Sequence, residues 1–239
     1  MSERLTRIEP IEIPLLEPVH GLKSVTGALG TPEWWPTGSR ICVVIAQASA
    51  AEDPLLDALQ HRLSERRFLS LRFPMPYMAA GKRREDDLRV MRRTYQAAVA
   101  VLGRDPTAAP AHVFAGGMNI GALVAAHAAA THMRIEGLFF LGYPLHNKDE
   151  TKALRDERLY RIVTPMLFVQ GTRDEFCKLD LLRQVLRRVG APVQLHVVED
   201  ANHRLRVLRR TSKRKNEEVH AEVHGALESW MANILEPAP

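Results

Sequence analysis

Apolar residues in this chain fall into short runs closed off by turn-forming residues, with longer segments between them whose apolar positions recur every three to four residues. The runs Arg40 to Ala46, Phe68 to Phe73, Ala111 to Ala115, Gly137 to Leu141, Met166 to Gln170 and Val193 to Val198 read as buried strands, apolar because both faces of their sheet are covered. The segments Pro54 to Arg66, Asp86 to Leu102, Asn119 to His132, Leu179 to Val189 and Asn216 to Leu235 carry helical spacing. Two earlier runs, Ile8 to Leu16 and Leu22 to Leu29, predict an N-terminal antiparallel pair, followed by the turn-rich stretch Gly30 to Gly38. Strands alternating with helices predict an α/β fold with a doubly wound, mostly parallel sheet. There is no internal repeat and no low-complexity linker, and only Gly142 to Val163 leaves room for even a minimal lid. The expectation is a single domain over residues 1–239, without a large cap domain and with open access to its site.

Bulk properties narrow the function. A chain of 239 residues that is 46% hydrophobic can bury a substantial core. No apolar stretch approaches the roughly 20 residues needed to cross a bilayer. The start, Met1-Ser2-Glu3-Arg4, has no apolar leader, so a cytoplasmic protein without a membrane partner is expected. Cys42 and Cys177 are the only two cysteines and are expected to be free thiols. The net charge of +5 and the basic run from Arg204 to Lys215 raise the question of nucleic acid. No aromatic residues interleave with those charges and no helix-turn-helix or finger frames them, so a solvated basic face is the preferred reading.

The chemistry concentrates at the ends of the predicted parallel strands, where connecting loops converge. Residues Val113-Phe-Ala-Gly-Gly-Met-Asn-Ile-Gly121 run from strand through a tight turn into a helix, and Gly117-x-Asn119-x-Gly121 has the spacing of a nucleophile elbow. The strand ending at Gln170 is followed by Asp174, and the strand ending at Val198 by His203. Elbow, acid, histidine is the chain order of an α/β-hydrolase triad, in which the acid orients an imidazole that acts as general base toward the elbow residue. The elbow residue here is asparagine. Its amide nitrogen is delocalised into the carbonyl and does not attack, whereas a serine hydroxyl does once a histidine takes its proton.

Several blocks in order, over nearly the whole chain, carry a resemblance: Arg72-Phe-Pro-Met-Pro-Tyr77-Met-Ala-Ala-Gly81-Lys-Arg-Arg84, the elbow, Leu141-Gly-Tyr-Pro144-Leu-His146, Leu167-Phe-Val-Gln-Gly-Thr-Arg-Asp174 and Glu199-Asp-Ala-Asn-His203. The sequence resembles the small, capless bacterial α/β-hydrolases of the dienelactone-hydrolase-like superfamily, related to the testis-expressed hydrolase-like protein and to the hydrolase-like subunit of a chromatin acetyltransferase complex. The resemblance implies an α/β-hydrolase fold, with Asp174 and His203 as the acid and histidine. It also implies serine at the elbow and a His-Gly-rich oxyanion segment after the first buried strand. This chain has Asn119 at the first place and Gln47-Ala48-Ser49-Ala50 at the second. Replacing glycine narrows the backbone conformations that can aim N–H groups at a developing oxyanion. Asparagine can still hold the elbow, because it tolerates positive φ better than most residues.

The preferred reading is a catalytically impaired hydrolase that binds a small ligand or a protein partner in the strand-end pocket. Asn119 stands at the nucleophile position, Asp174 and His203 behind it, and Gln47, Ala48, Met118, Ile120, Tyr143 and His146 around it. One alternative is a working hydrolase of ester-like acyl bonds in which His203 activates water. Another is an anionic-polymer binder acting through residues 204–215. No cofactor and no metal is expected; His220 and His224 lack the adjacent glutamate of a zinc helix. Ser49 and Cys177 sit on no elbow and are expected to be spectators, and Arg72, Arg83 and Arg84 are weighed as receivers of an anion against plain solvation.

Overall fold

Apolar runs become strands and periodic segments become helices in the computed structural model, which describes residues 7–32, 40–47, 49, 53–104, 109–131, 133–208, 210 and 212–235. In chain order the strands are β1 (Arg7–Val19), β2 (Leu22–Thr31), β3 (Ile41–Ala46), β4 (Leu69–Phe73), β5 (His112–Met118), β6 (Gly137–Leu141), β7 (Met166–Gly171) and β8 (Val193–Val198). The helices are α1 (Pro54–Glu65), α2 (Pro76–Ala79), α3 (Leu88–Val101), α4 (Ile120–Ala129), α5 (Leu179–Leu186) and α6 (Asn216–Leu235). One sheet has the order β1-β2-β4-β3-β5-β6-β7-β8. β1 with β2 and β2 with β4 are antiparallel, while β3 with β4, β6 with β7 and β7 with β8 are parallel. This is an α/β-hydrolase fold with an antiparallel N-terminal pair. Contacts group the chain into two compact units that divide within β5, between Ala115 and Gly116.

The first unit is organised around β3 and β4. Cys42 through Ala46 are fully buried, and Tyr95 from α3 donates its phenol proton to the Val44 carbonyl at 3.3 Å. Two helices start on capping aspartates: Asp53 accepts from the Leu55 N–H at 3.1 Å with Pro54 at the first helical position, and Asp87 accepts from the Arg89 N–H at 2.7 Å. Each satisfies an amide that has no partner within the helix. α1 buries Leu55, Leu56, Leu59 and Leu63, spaced to fall on one face. β1 runs to Val19, three residues past its predicted end, and lies at the sheet's edge, where Pro10 and Pro14 pair in register with Ala28 and Ser24.

The second unit packs around β6 and β7. Phe140, Phe168 and Tyr143 form an aromatic cluster with ring centroids 4.6 to 5.7 Å apart. Gly116 is required by close approach, since a Cβ there would lie 2.3 Å from the Phe139 carbonyl oxygen. Between Gly142 and Val163, all described, the only helical piece is a 3-10 turn at Leu159–Arg161, so no large cap is evident among the described residues. That loop is tied down by the Tyr143 hydroxyl donating to the Arg155 carbonyl at 2.6 Å and by Arg155 N–H donating to the Leu145 carbonyl at 2.7 Å. Sequence periodicity misses both this turn and α2, because elements of three and four residues are too short to repeat an apolar spacing.

Candidate active site

β5 delivers Asn119 to the start of α4 in a strained conformation. Its φ of 52° and ψ of −116° lie outside the ordinary regions for a residue with a side chain, and holding such a residue costs about 1–3 kcal/mol. The Asn119 N–H donates to the Leu141 carbonyl at 3.0 Å, which fastens the turn to the end of β6. Asn119 is 8% exposed, and its side chain turns toward His203. With Nδ2 on the His203 side, the amide donates to the His203 carbonyl at 2.7 Å, to His203 Nε2 at 3.1 Å and to the Gly142 carbonyl at 3.3 Å. The opposite orientation would set Oδ1 against two carbonyl oxygens, so the hydrogen-bond network selects the first.

His203 sits just beyond β8, and its Nδ1 lies 2.8 Å from Oδ2 of Asp174, just beyond β7. The Asp174 carboxylate is fully buried and the imidazole 18% exposed. Oδ2 also accepts from Gln170 Nε2, and Oδ1 accepts from the Phe176 N–H at 2.7 Å. Gln170 is itself fixed, its Oε1 accepting from the Tyr143 N–H at 3.0 Å. A buried carboxylate that answers a backbone amide, a carboxamide and an imidazole N–H has its charge compensated in place. Nδ1 therefore carries the proton and Nε2 presents its lone pair to Asn119, the tautomer a general base requires. Phe176 stacks obliquely on the imidazole, centroids 4.6 Å apart. Gly142, at φ 64°, closes the arrangement: a Cβ there would meet the His203 carbonyl oxygen at 2.3 Å.

The remaining candidates separate by burial. Met118 is fully buried below the turn and Ile120 half-buried at the first turn of α4. Tyr143 and His146 are fully buried and their polar atoms are engaged by protein, which makes them supports rather than ligand-facing groups. His146 Nδ1 donates to the Asn147 carbonyl at 2.8 Å and Nε2 accepts from the Lys178 N–H at 3.0 Å, so the ring staples the loop after β6 to the start of α5. In the first unit, the Gln47 N–H donates to the Phe73 carbonyl at 3.0 Å at the end of β3. Gln47 lines a cleft of about 640 Å³ with Arg72, Pro74 and Met78. Arg72 pairs with Asp57, and Arg83 and Arg84 are exposed. Ala48 lies outside the described residues.

Both cysteines are buried thiols whose ionisation is suppressed. Burial pushes the Cys177 thiol up and the nearby Asp174 adds to it, which removes this sulfur as a nucleophile at neutral pH. His224 is buried in α6, and among the described residues no three His, Cys, Asp or Glu side chains converge as a metal site. No helix among them is long and apolar enough to cross a membrane. Within the basic run, Arg214 pairs with Glu222, which also accepts from His196 at 2.9 Å.

Sequence reasoning missed Gln170, Phe176 and Gly142. Gln170 could have been noticed as a polar residue inside an otherwise apolar strand, where a buried carboxamide needs partners. Phe176 and Gly142 carry no such signal, because their roles depend on how separate loops meet.

A model of the alpha/beta hydrolase domain matches residues 39–232. Among solved structures, a dienelactone hydrolase from Anabaena variabilis superposes with a TM-score of 0.69 at 15% identity, over 94% of this chain and 98% of that one. Est1E from Butyrivibrio proteoclasticus gives 0.69 at 16% identity, over 93% and 99%. A serine hydrolase without a lid from Xanthomonas campestris gives 0.68 at 15%, over 98% of both. At these identities the superpositions speak for the fold, and the family match covers most of the chain. With the elbow turn, the buried acid and the histidine in triad order, the chain belongs to the alpha/beta hydrolase domain family.

Proposed function

We propose that this protein is an α/β-hydrolase-fold binding protein in which acyl transfer through the elbow residue is disabled, and that its strand-end pocket holds a small ligand bearing a carbonyl group. The observation carrying this reading is the Asn119 carboxamide at 3.1 Å from His203 Nε2. In a serine hydrolase that lone pair removes the nucleophile's proton. Here it accepts from an amide N–H that is not given up at neutral pH, and the nitrogen behind it is not nucleophilic. A ligand carbonyl that takes over one of these N–H bonds gains an oriented donor without being cleaved. In a well-studied serine protease, loss of the nucleophile costs about 10⁶ in kcat, roughly 8 kcal/mol of transition-state stabilisation. Kinship with the testis-expressed and chromatin-complex hydrolase-like proteins is part of the same proposal.

Hydrolysis of p-nitrophenyl acetate by the native chain, Asn119→Ser and His203→Ala tests the reading. The expected result is background turnover in the native chain and a gain of at least 10²-fold in Asn119→Ser. The intact Asp174–His203 pair favours one other reading, in which the imidazole activates water for ester cleavage. Native turnover that is lost in His203→Ala would support that reading and overturn the binding one.

A further inference from the structure

A cleft of about 510 Å³ opens beside the imidazole, lined by His203 and Phe176 together with Arg173, Arg204, Arg206, Leu208 and Arg210 and the carboxylates of Glu175 and Asp200. Its volume lies in the range of small-molecule sites. Four arginines face two carboxylates, and the two carboxylates are already answered: Asp200 by Arg173 at 2.6 Å and Glu175 by Lys148 at 2.8 Å. Arg204 and Arg210 are exposed, and neither takes part in the ion pairs formed among the described residues around the cleft. Positive charge in excess of its counter-charges thus rims a pocket whose walls include the Phe176 ring and Leu208, 48% exposed.

The stretch from Asn202 to Val207, which carries Arg204 and Arg206, is built rather than loose. Asn202 Oδ1 accepts from the Arg204 N–H at 2.9 Å and from the Arg206 N–H at 3.1 Å, and the Asn202 N–H donates to the Arg206 carbonyl at 3.0 Å. Between them Leu205, at φ 52°, is fully buried as an anchor. The Val207 N–H then donates to Asn216 Oδ1 at 2.8 Å, joining the loop to α6. Holding the backbone in place lowers the ordering cost when a ligand binds.

We infer that this cleft receives an organic anion, a carboxylate or phosphate on a small apolar body, with the oxyanion on Arg204 and Arg210 and the body against Phe176 and Leu208. Guanidinium forks match the planar carboxylate and the phosphate alike. The inference deepens the binding reading above and rests on it for the placement of the ligand's carbonyl toward Asn119.

Calorimetric titration of the full chain at low ionic strength with 4-acetylbenzoate, 4-acetylphenyl phosphate and uncharged acetophenone tests it. The expected result is that a charged probe binds at least roughly ten-fold tighter than acetophenone, an advantage that shrinks with added salt. The probe that binds more tightly identifies the anion. Combined Arg204→Glu and Arg210→Glu substitution removes the advantage, and the milder pair of glutamine substitutions reduces it. Equal binding of charged and neutral probes, an advantage that survives charge reversal, or no binding of any probe overturns the inference. Asn119→Ala separates it from the parent reading. Arginine dependence without any effect of Asn119→Ala keeps the anion cleft and discards the carbonyl site, whereas the reverse pattern discards the anion cleft alone.

Discussion

Polar atoms behind the Asp174–His203 pair and those buried between β4 and α1 are handled in opposite ways. Around the pair, Gln170 and the Phe176 N–H donate to the acid, Asp174 and Asn119 answer the two ring nitrogens, and Tyr143 and Gly142 in turn engage Gln170 and Asn119. In the first unit, the Ser70 hydroxyl, Gln60 Oε1 and Arg72 Nε are buried with no hydrogen-bond partner among the described residues. An orphaned polar group costs about 1–3 kcal/mol of desolvation, while a matched one returns most of it. The Asp174–His203 pair is therefore held in a fixed geometry, with the imidazole facing the Asn119 amide. Arg158 Nε, away from the pair in the second unit, is unmatched as well, so the contrast is between the surroundings of the pair and the β4–α1 layer.

Substitutions that unmatch the first region or relieve the second should move stability in opposite directions. The largest effect is expected for Asp174→Ala, which strands three donors around a buried site and should cost about 3 kcal/mol in urea unfolding. Gly142→Ala comes next, at about 2 kcal/mol, because the new methyl meets the His203 carbonyl and the backbone must hold φ 64°. A change in chemical shift of the His203 ring protons would confirm that the imidazole has moved.

A smaller effect tests the attachment of α6 to β8 through Glu222. Burial raises the Glu222 pKa, but the hydrogen bonds and charges of Arg214 and His196 outweigh it and leave the carboxyl below its ordinary value of 4.5. A depressed carboxyl contributes stability above its unfolded pKa and loses it as pH falls through the folded value. Acid titration of unfolding should show this loss below about pH 4.5, and Glu222→Gln should remove it, with about 1 kcal/mol at stake for a partly exposed cluster. The smallest effect has the opposite sign: Ser70→Ala deletes an orphaned hydroxyl and should leave stability unchanged or raise it by up to about 1 kcal/mol. A clear loss there would mean that the hydroxyl is matched and would erase the contrast.

The chain displays the fold openly because strands covered on both faces, such as β3 and β7, must be apolar from end to end, and capping aspartates mark where α1 and α3 begin. The candidate site was legible where a residue has a fixed address in the fold: the structure brings together Asn119 in its turn, Asp174 after β7 and His203 after β8. It was not legible where a role depends on which face of a loop is covered. Tyr143 and His146 follow a strand end, as a ligand-facing group would, but the Arg155 loop and the start of α5 close over them. The arginines of the 204–210 loop read as a charge run along the chain. The Asn202 bonds, the buried Leu205 and the Val207–Asn216 bond hold residues 202–207 beside His203, and none of these shows in a charge run.

β1 lies at the margin of the sheet, and a ladder neighbour on one side only leaves alternate peptide groups directed away from β2. Pro10 and Pro14 occupy positions of that outward set, since a proline cannot donate into the ladder with β2. They delete donors that an incoming strand would need for continuous pairing. A long margin that could template self-stacking or capture an unfolded segment is thereby closed to it, at the level of covalent structure and independent of pH, salt or ligand.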